Sequence, residues 1–115
     1  MPEREDEWSR FRAEMNRRIL ERGNLSVKRF FALDTQCYQP GALPAFTKEL
    51  MGLAASTVLR CDDCIAYHVR RCKDLGMTEE QFWEAMNVGL VVGGSIVIPH
   101  LRRAVALWDE LAAEG

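Results

Sequence analysis

The stretch whose residue types and spacing could do chemistry is Cys61-Asp62-Asp63-Cys64-Ile65-Ala66-Tyr67-His68. It sets two thiols three residues apart and an imidazole four residues beyond the second. On a helix, residues three, four and seven apart share a face, so positions 61, 64 and 68 would fall on one line. A dithiol beside a base can carry redox chemistry, because one thiol attacks an oxidised partner sulfur and closes a disulfide. The same three side chains could instead hold a metal, with Cys72, His100 or Glu49 as the fourth ligand.

A thiol reacts as its thiolate, and the start of a helix stabilises negative charge through unpaired N–H groups and the macrodipole. Cys61 and Cys64 are expected in a first helical turn, with His68 one turn on and able to exchange a proton with Cys64. Dipole reasoning alone favours Cys61 as the better thiolate, whereas helical spacing puts His68 closer to Cys64. Asp62 and Asp63 suit a first turn as helix-stabilising charges, although they oppose a thiolate beside them. C-type haem attachment needs His directly after the second Cys, where this chain has Ile65. A thioredoxin-like site needs strands, and none are visible. Structural zinc pairs usually sit in turns, and this chain has a core without metal. The dithiol is therefore preferred, with no metal and no cofactor expected.

The elements that position the motif follow from apolar spacing. Residues 4 to 22 carry Trp8, Phe11, Met15 and Ile19 at helical intervals. Gly23 stops that helix through the left-handed conformation glycine tolerates. Asn24 or Ser26 caps a second helix bearing Val27, Phe30, Phe31 and Leu33, which ends before Pro40-Gly41. Pro44 opens a third, Ala45 to Leu59, with Leu50, Leu53, Ala54 and Val58 facing a core. Glu49 is its oddity, a carboxylate one turn above Leu53. The motif helix, Cys61 to Leu75, folds back beside it and ends at Gly76. Thr78-Glu79-Glu80-Gln81 has the capping-box form and starts a fifth helix through Phe82, Met86 and Leu90. Gly89 and Gly93 imply a close helix crossing. Gly93-Gly94 divides the fifth helix from a last one, capped by Ser95, with Pro99 in its first turn and Leu101, Val105 and Trp108 on its apolar side. The expectation is an all-α fold, a compact bundle of about six helices.

A chain of 115 residues is expected to be one domain with its own core. The formal net charge of −2 gives no support to a nucleic-acid partner. Arg70, Arg71 and Lys73, like Arg102 and Arg103, suit solvated helix faces. Met1-Pro2-Glu3-Arg4-Glu5-Asp6-Glu7 is too charged for a secretory signal. The apolar run Val88 to Pro99 is short of the roughly 20 residues a membrane span needs. No membrane partner and a cytoplasmic location are expected, where a Cys-x-x-Cys pair is catalytic or metal-binding rather than a permanent bridge. Cys37 and Cys72, lacking a motif, are expected to be small buried hydrophobes.

Glu49, eleven intervening residues, Cys61-x-x-Cys64-x-x-x-His68, the helix around Phe82 and the glycine-bearing stretch Val88 to Pro99 together resemble the AhpD-like branch of the carboxymuconolactone decarboxylase family. The resemblance covers roughly residues 40 to 110. It implies an all-helical subunit that assembles as a homo-oligomer, trimer or hexamer, and acts as a thiol-dependent peroxidase. By that analogy Cys64 attacks a hydroperoxide substrate, Cys61 resolves it to a disulfide, and His68 with Glu49 forms the proton relay. An external dithiol or dithiol protein would be the reductant. Residues 1–39 would be a helical extension serving oligomer packing and residues 40–112 the redox core of the single domain. Alkylhydroperoxidase members carry a second His next to the second cysteine, where this chain has Asp63. Decarboxylase members lack the Cys pair, so decarboxylation of a muconolactone is not expected. The alternatives are a non-catalytic metal-stabilised helical module and a redox sensor or interaction protein.

Overall fold

A computed structural model describes residues 6–114, and over these the chain is all-α, six helices and one short turn of tighter helix with no strand. The expected start of the first helix at residues 4 and 5, and most of the charged N-terminal stretch, lie outside the described residues. The chain divides into two compact units, Met1–Gln39 and Pro40–Gly115.

The first unit holds α1, Glu7–Arg22, and α2, Leu25–Cys37. Asp6 caps α1 by accepting from the Ser9 N–H, and Asn24, rather than Ser26, caps α2 by accepting from Val27. Glu14 lies between Arg17 and Arg18, whose hydrogen bonds hold its carboxyl down at about 2. The residue ending α1 departs from expectation. Gly23 is extended, with φ −74°, not left-handed. Glycine is needed there because a Cβ would come within 2.6 Å of the Ile19 carbonyl oxygen, to which the Gly23 N–H donates. The apolar sides of these helices are left open. Neither helix has a buried residue, and Phe11 and Phe30 remain 69% and 67% exposed. A pair of helices can cover only one line of each, so helical spacing marked the face but not a cover for it. Cys37, expected to be buried, is exposed.

The second unit holds α3, Ala45–Leu59; α4, Asp62–Asp74; α5, Glu79–Gly93; and α6, Ile98–Glu114. Helix α3 packs on α4 and α5, and α4 packs on α6. Pro44 starts α3, and Arg60 ends it in the left-handed conformation, φ 60°, turning the chain into α4 within two residues. The capping box at α5 is complete, with Thr78 Oγ1 accepting from the Gln81 N–H and Gln81 Oε1 from the Thr78 N–H. The last helix begins differently from expectation. Ser95 makes no side-chain cap; it opens a single turn, Ser95–Val97, that follows Gly94 at φ 84° and runs straight into α6.

Leu53, Ile65, Val69, Cys72, Met77, Phe82, Met86, Ala104 and Trp108 form one buried cluster. Phe82 stacks on Trp108 with ring centres 5.1 Å apart. Gly89 allows the close approach of α5 to α3, since a Cβ there would meet Thr57 Cγ2 at 2.8 Å. This core fixes the two helices that carry the site, because Leu53 on α3 and Ile65, Val69 and Cys72 on α4 all anchor in it.

Candidate functional site

Cys61 and Cys64 form a disulfide, their Cα atoms 5.3 Å apart, at the start of α4. Cys61 is the N-cap residue and its Sγ accepts from the Cys64 N–H at 3.2 Å. Cys64 lies in the first turn and is exposed, whereas Cys61 is half-buried. A reagent arriving from solvent therefore meets Cys64 more openly.

One turn on from Cys64, His68 is buried, and its Nδ1 lies 2.8 Å from Glu49 Oε1. An ionised carboxylate only accepts, so with Glu49 in that form Nδ1 is the nitrogen that donates. Glu49 is 2% exposed on α3, four residues before Leu53. Its second oxygen, Oε2, is 3.7 Å from Arg71 Nε. The carboxylate thus faces an imidazole and a guanidinium, three residues apart on α4.

The other two cysteines stand outside the disulfide. Cys72 is fully buried next to this pair. Burial, and then the Glu49 carboxylate, push its thiol up to about 12, with Arg71 acting in the opposite direction. It stays protonated at neutral pH and is unsuited to nucleophilic chemistry. The fourth metal ligands considered from sequence are dispersed: Glu49 is with His68, Cys72 is in the core, and His100 Nδ1 is 2.7 Å from Asp62 Oδ1. Among the described residues no three His, Cys, Asp or Glu side chains are placed to hold a metal ion.

The structure brings together Glu49 with His68, and Cys61 with Cys64, on the adjoining helices α3 and α4. Sequence reasoning missed Arg71, taken for a solvated charge; its position three residues after His68 put it on the same face. It also missed Arg103, whose Nη1 lies 3.0 Å from Asp62 Oδ2. Arg103 follows His100 by three residues, and that spacing could have paired them as one recognition face.

The comparisons with known proteins agree with this architecture. A carboxymuconolactone decarboxylase family protein from Thermotoga maritima, for which an antioxidative role has been suggested, has a crystal structure that superposes with a TM-score of 0.90 at 56% identity, over 94% of this chain and 92% of that one. Uncharacterized protein 4 in the cox locus of Paracoccus denitrificans is 34% identical over 82 residues, 71% of this chain and 74% of that protein. The alkyl hydroperoxide reductase AhpD of Corynebacterium kroppenstedtii is 39% identical over 46 residues, which is 40% of this chain and 26% of that enzyme. No described helix is long and apolar enough to cross a membrane. The family pattern matches residues 24–107 and so takes in α2, which the resemblance read from residue 40 onward had left out. By that match, the chain belongs to the carboxymuconolactone decarboxylase family.

Proposed function

We propose that the protein is a dithiol oxidoreductase that reduces hydroperoxides, with Cys64 as the peroxidatic thiol and Cys61 as the resolving one. The observation that carries this reading is the Cys61–Cys64 disulfide at the start of α4, one turn from the buried His68–Glu49 pair. In the reduced protein the Cys64 thiolate attacks the outer oxygen of the hydroperoxide. The O–O bond breaks, the alkoxide takes a proton, and Cys64 becomes a sulfenic acid. The Cys61 thiolate then attacks the Cys64 sulfur, water leaves, and the disulfide forms. An external dithiol, small or carried on a protein, supplies two electrons and two protons through a mixed disulfide.

His68 is the proton carrier in this reading. With Nδ1 turned to Glu49, the ring exchanges protons with the thiols and the leaving oxygen through Nε2. Glu49 acts through His68 and is a positioning residue. Assembly of the subunit as a homo-oligomer, a trimer or hexamer, belongs to the same reading. Exposed apolar side chains such as Phe11, Phe30 and Val91 support it, as surface that an oligomer would cover. A reducing cytoplasm suits a dithiol that must be returned to its thiol form.

The test is a stopped-flow measurement of the reduced protein with one equivalent of peroxide, followed by mass spectrometry of the thiols. Fast peroxide consumption, with a new Cys61–Cys64 bridge, is expected. Consumption that continues unchanged in Cys64→Ser would overturn the assignment.

A further inference from the structure

One neighbour of the dithiol, Asp62, is not used by the proposed chemistry. Asp62 is the first residue of α4, inside the motif, and α6 reaches across to it with two side chains. His100 Nδ1 lies 2.7 Å from Oδ1 and Arg103 Nη1 3.0 Å from Oδ2, across 38 and 41 residues of sequence. Both carboxylate oxygens are taken, one by a ring that is mostly covered and one by a permanent cation. Uncompensated, that carboxylate works against thiolate formation. For charges ~7 Å apart near a protein surface, the opposition is worth about half a pKa unit to one and a half.

We propose that His100 and Arg103 are positioning residues of the dithiol. They hold the Asp62 carboxylate and offset its charge, so that the reduced Cys61-x-x-Cys64 pair releases a proton near neutral pH despite the aspartates within the motif. The proposal rests on the dithiol reading of this site and not on peroxide as its oxidant. The other ionisable groups around it are Asp63, His68 and Arg71 on α4 and Glu49 from α3. None of them is altered by substitution on α6, so the comparison isolates Asp62.

The experiment alkylates the fully reduced, full-length protein with iodoacetamide between pH 5.5 and 9.5 and follows the motif cysteines by peptide mass spectrometry. Each event forms a C–S bond from the thiolate, expels iodide and releases the thiol proton to water, so the rate tracks the thiolate fraction. Arg103→Ala is expected to raise the pH midpoint and slow alkylation at pH 7 by about three- to thirtyfold, with His100→Ala smaller in the same direction. Arg103→Lys should restore much of the rate. In an Asp62→Asn background, Arg103→Ala should leave the midpoint nearly in place.

A thermal melt run in parallel separates the bland role. A lowered Tm with an unmoved midpoint means that Asp62 only ties α6 to α4, and overturns the proposal. So does an equal shift with and without the Asp62 carboxylate, since Arg103 would then act on the thiols directly. Should peroxide fail to oxidise the protein while the midpoint still moves, the peroxidase reading falls and this one stands.

Discussion

His68 Nδ1 and Glu49 Oε1 meet at 2.8 Å, nineteen residues apart in sequence, and both side chains are nearly closed to solvent. A buried carboxylate survives only with partners, and here an imidazole and a guanidinium face it from α4. Glu49→Gln keeps the shape and removes the carboxylate charge beside His68 Nδ1. Oxidation of the reduced dithiol by peroxide is expected to slow about tenfold to a hundredfold, with the melting temperature little changed. Glu49→Ala should in addition lose about 1–3 kcal/mol of stability, since the buried hydrogen bond to His68 Nδ1 is lost. Stopped-flow rates beside thermal melts check both, and a Glu49→Gln rate equal to wild type would remove Glu49 from the relay.

The two cysteines make opposite claims to be the nucleophile. Cys61 Sγ receives the Cys64 N–H at the helix start, whereas Cys64 is the more exposed and stands one turn from His68. With Cys64 as nucleophile, Cys61→Ser should react once with peroxide and stop at a sulfenic acid that dimedone traps on Cys64. Cys64→Ser should give no trapped adduct. The reverse labelling pattern would assign the roles the other way.

Much of the architecture follows from local chemistry, and much of the site does not. The capping box at Thr78 and Gln81, Pro44 before α3 and the glycine pair at the end of α5 each state a helix boundary in a few residues. Glu49 is odd by pattern, and only the family resemblance suggests a role for it. The contacts of Asp62 with His100 and Arg103 join positions 38 and 41 residues apart, and no periodicity encodes such a meeting. Burial was the least legible property. Phe11 and Phe30 lie on well-formed apolar faces, yet what covers a face depends on tertiary and quaternary packing.

Gly89 carries a steric requirement. Alanine there would place its Cβ 2.8 Å from Thr57 Cγ2 and 3.0 Å from Thr57 Cβ, both buried. Gly89→Ala is expected to cost about 1–3 kcal/mol by forcing α5 away from α3. Thr57→Ser removes the nearer methyl while keeping a hydroxyl able to donate to the Leu53 carbonyl as Thr57 does at 2.8 Å. The double variant should recover part of the loss in urea unfolding, and strict additivity would show that the contact is not the cause.

Cys72 predicts a pH dependence with a definite sign. Burial holds its thiol up at about 12 in the folded protein, against an ordinary value of 9.0. The folded state therefore keeps a proton that the unfolded chain releases. That preference is harmless below pH 9 and erodes stability as the pH climbs from about 9 toward 12. Cys72→Ala should lose some stability at pH 8 through the vacated volume, yet fall less steeply than wild type between pH 8 and 10.5. Under reducing conditions iodoacetamide should modify exposed Cys37 in the folded protein and spare Cys72. Labelling of both at equal rates would contradict the burial.

Cys61 Sγ is at once half of the disulfide and the acceptor for the Cys64 amide in the first turn of α4. One atom therefore belongs to two systems, the electron inventory of the protein and the end of a helix. Any gain or loss of electrons at that sulfur alters the acceptor on which the opening turn closes, so oxidation state and local folding are one variable at this point.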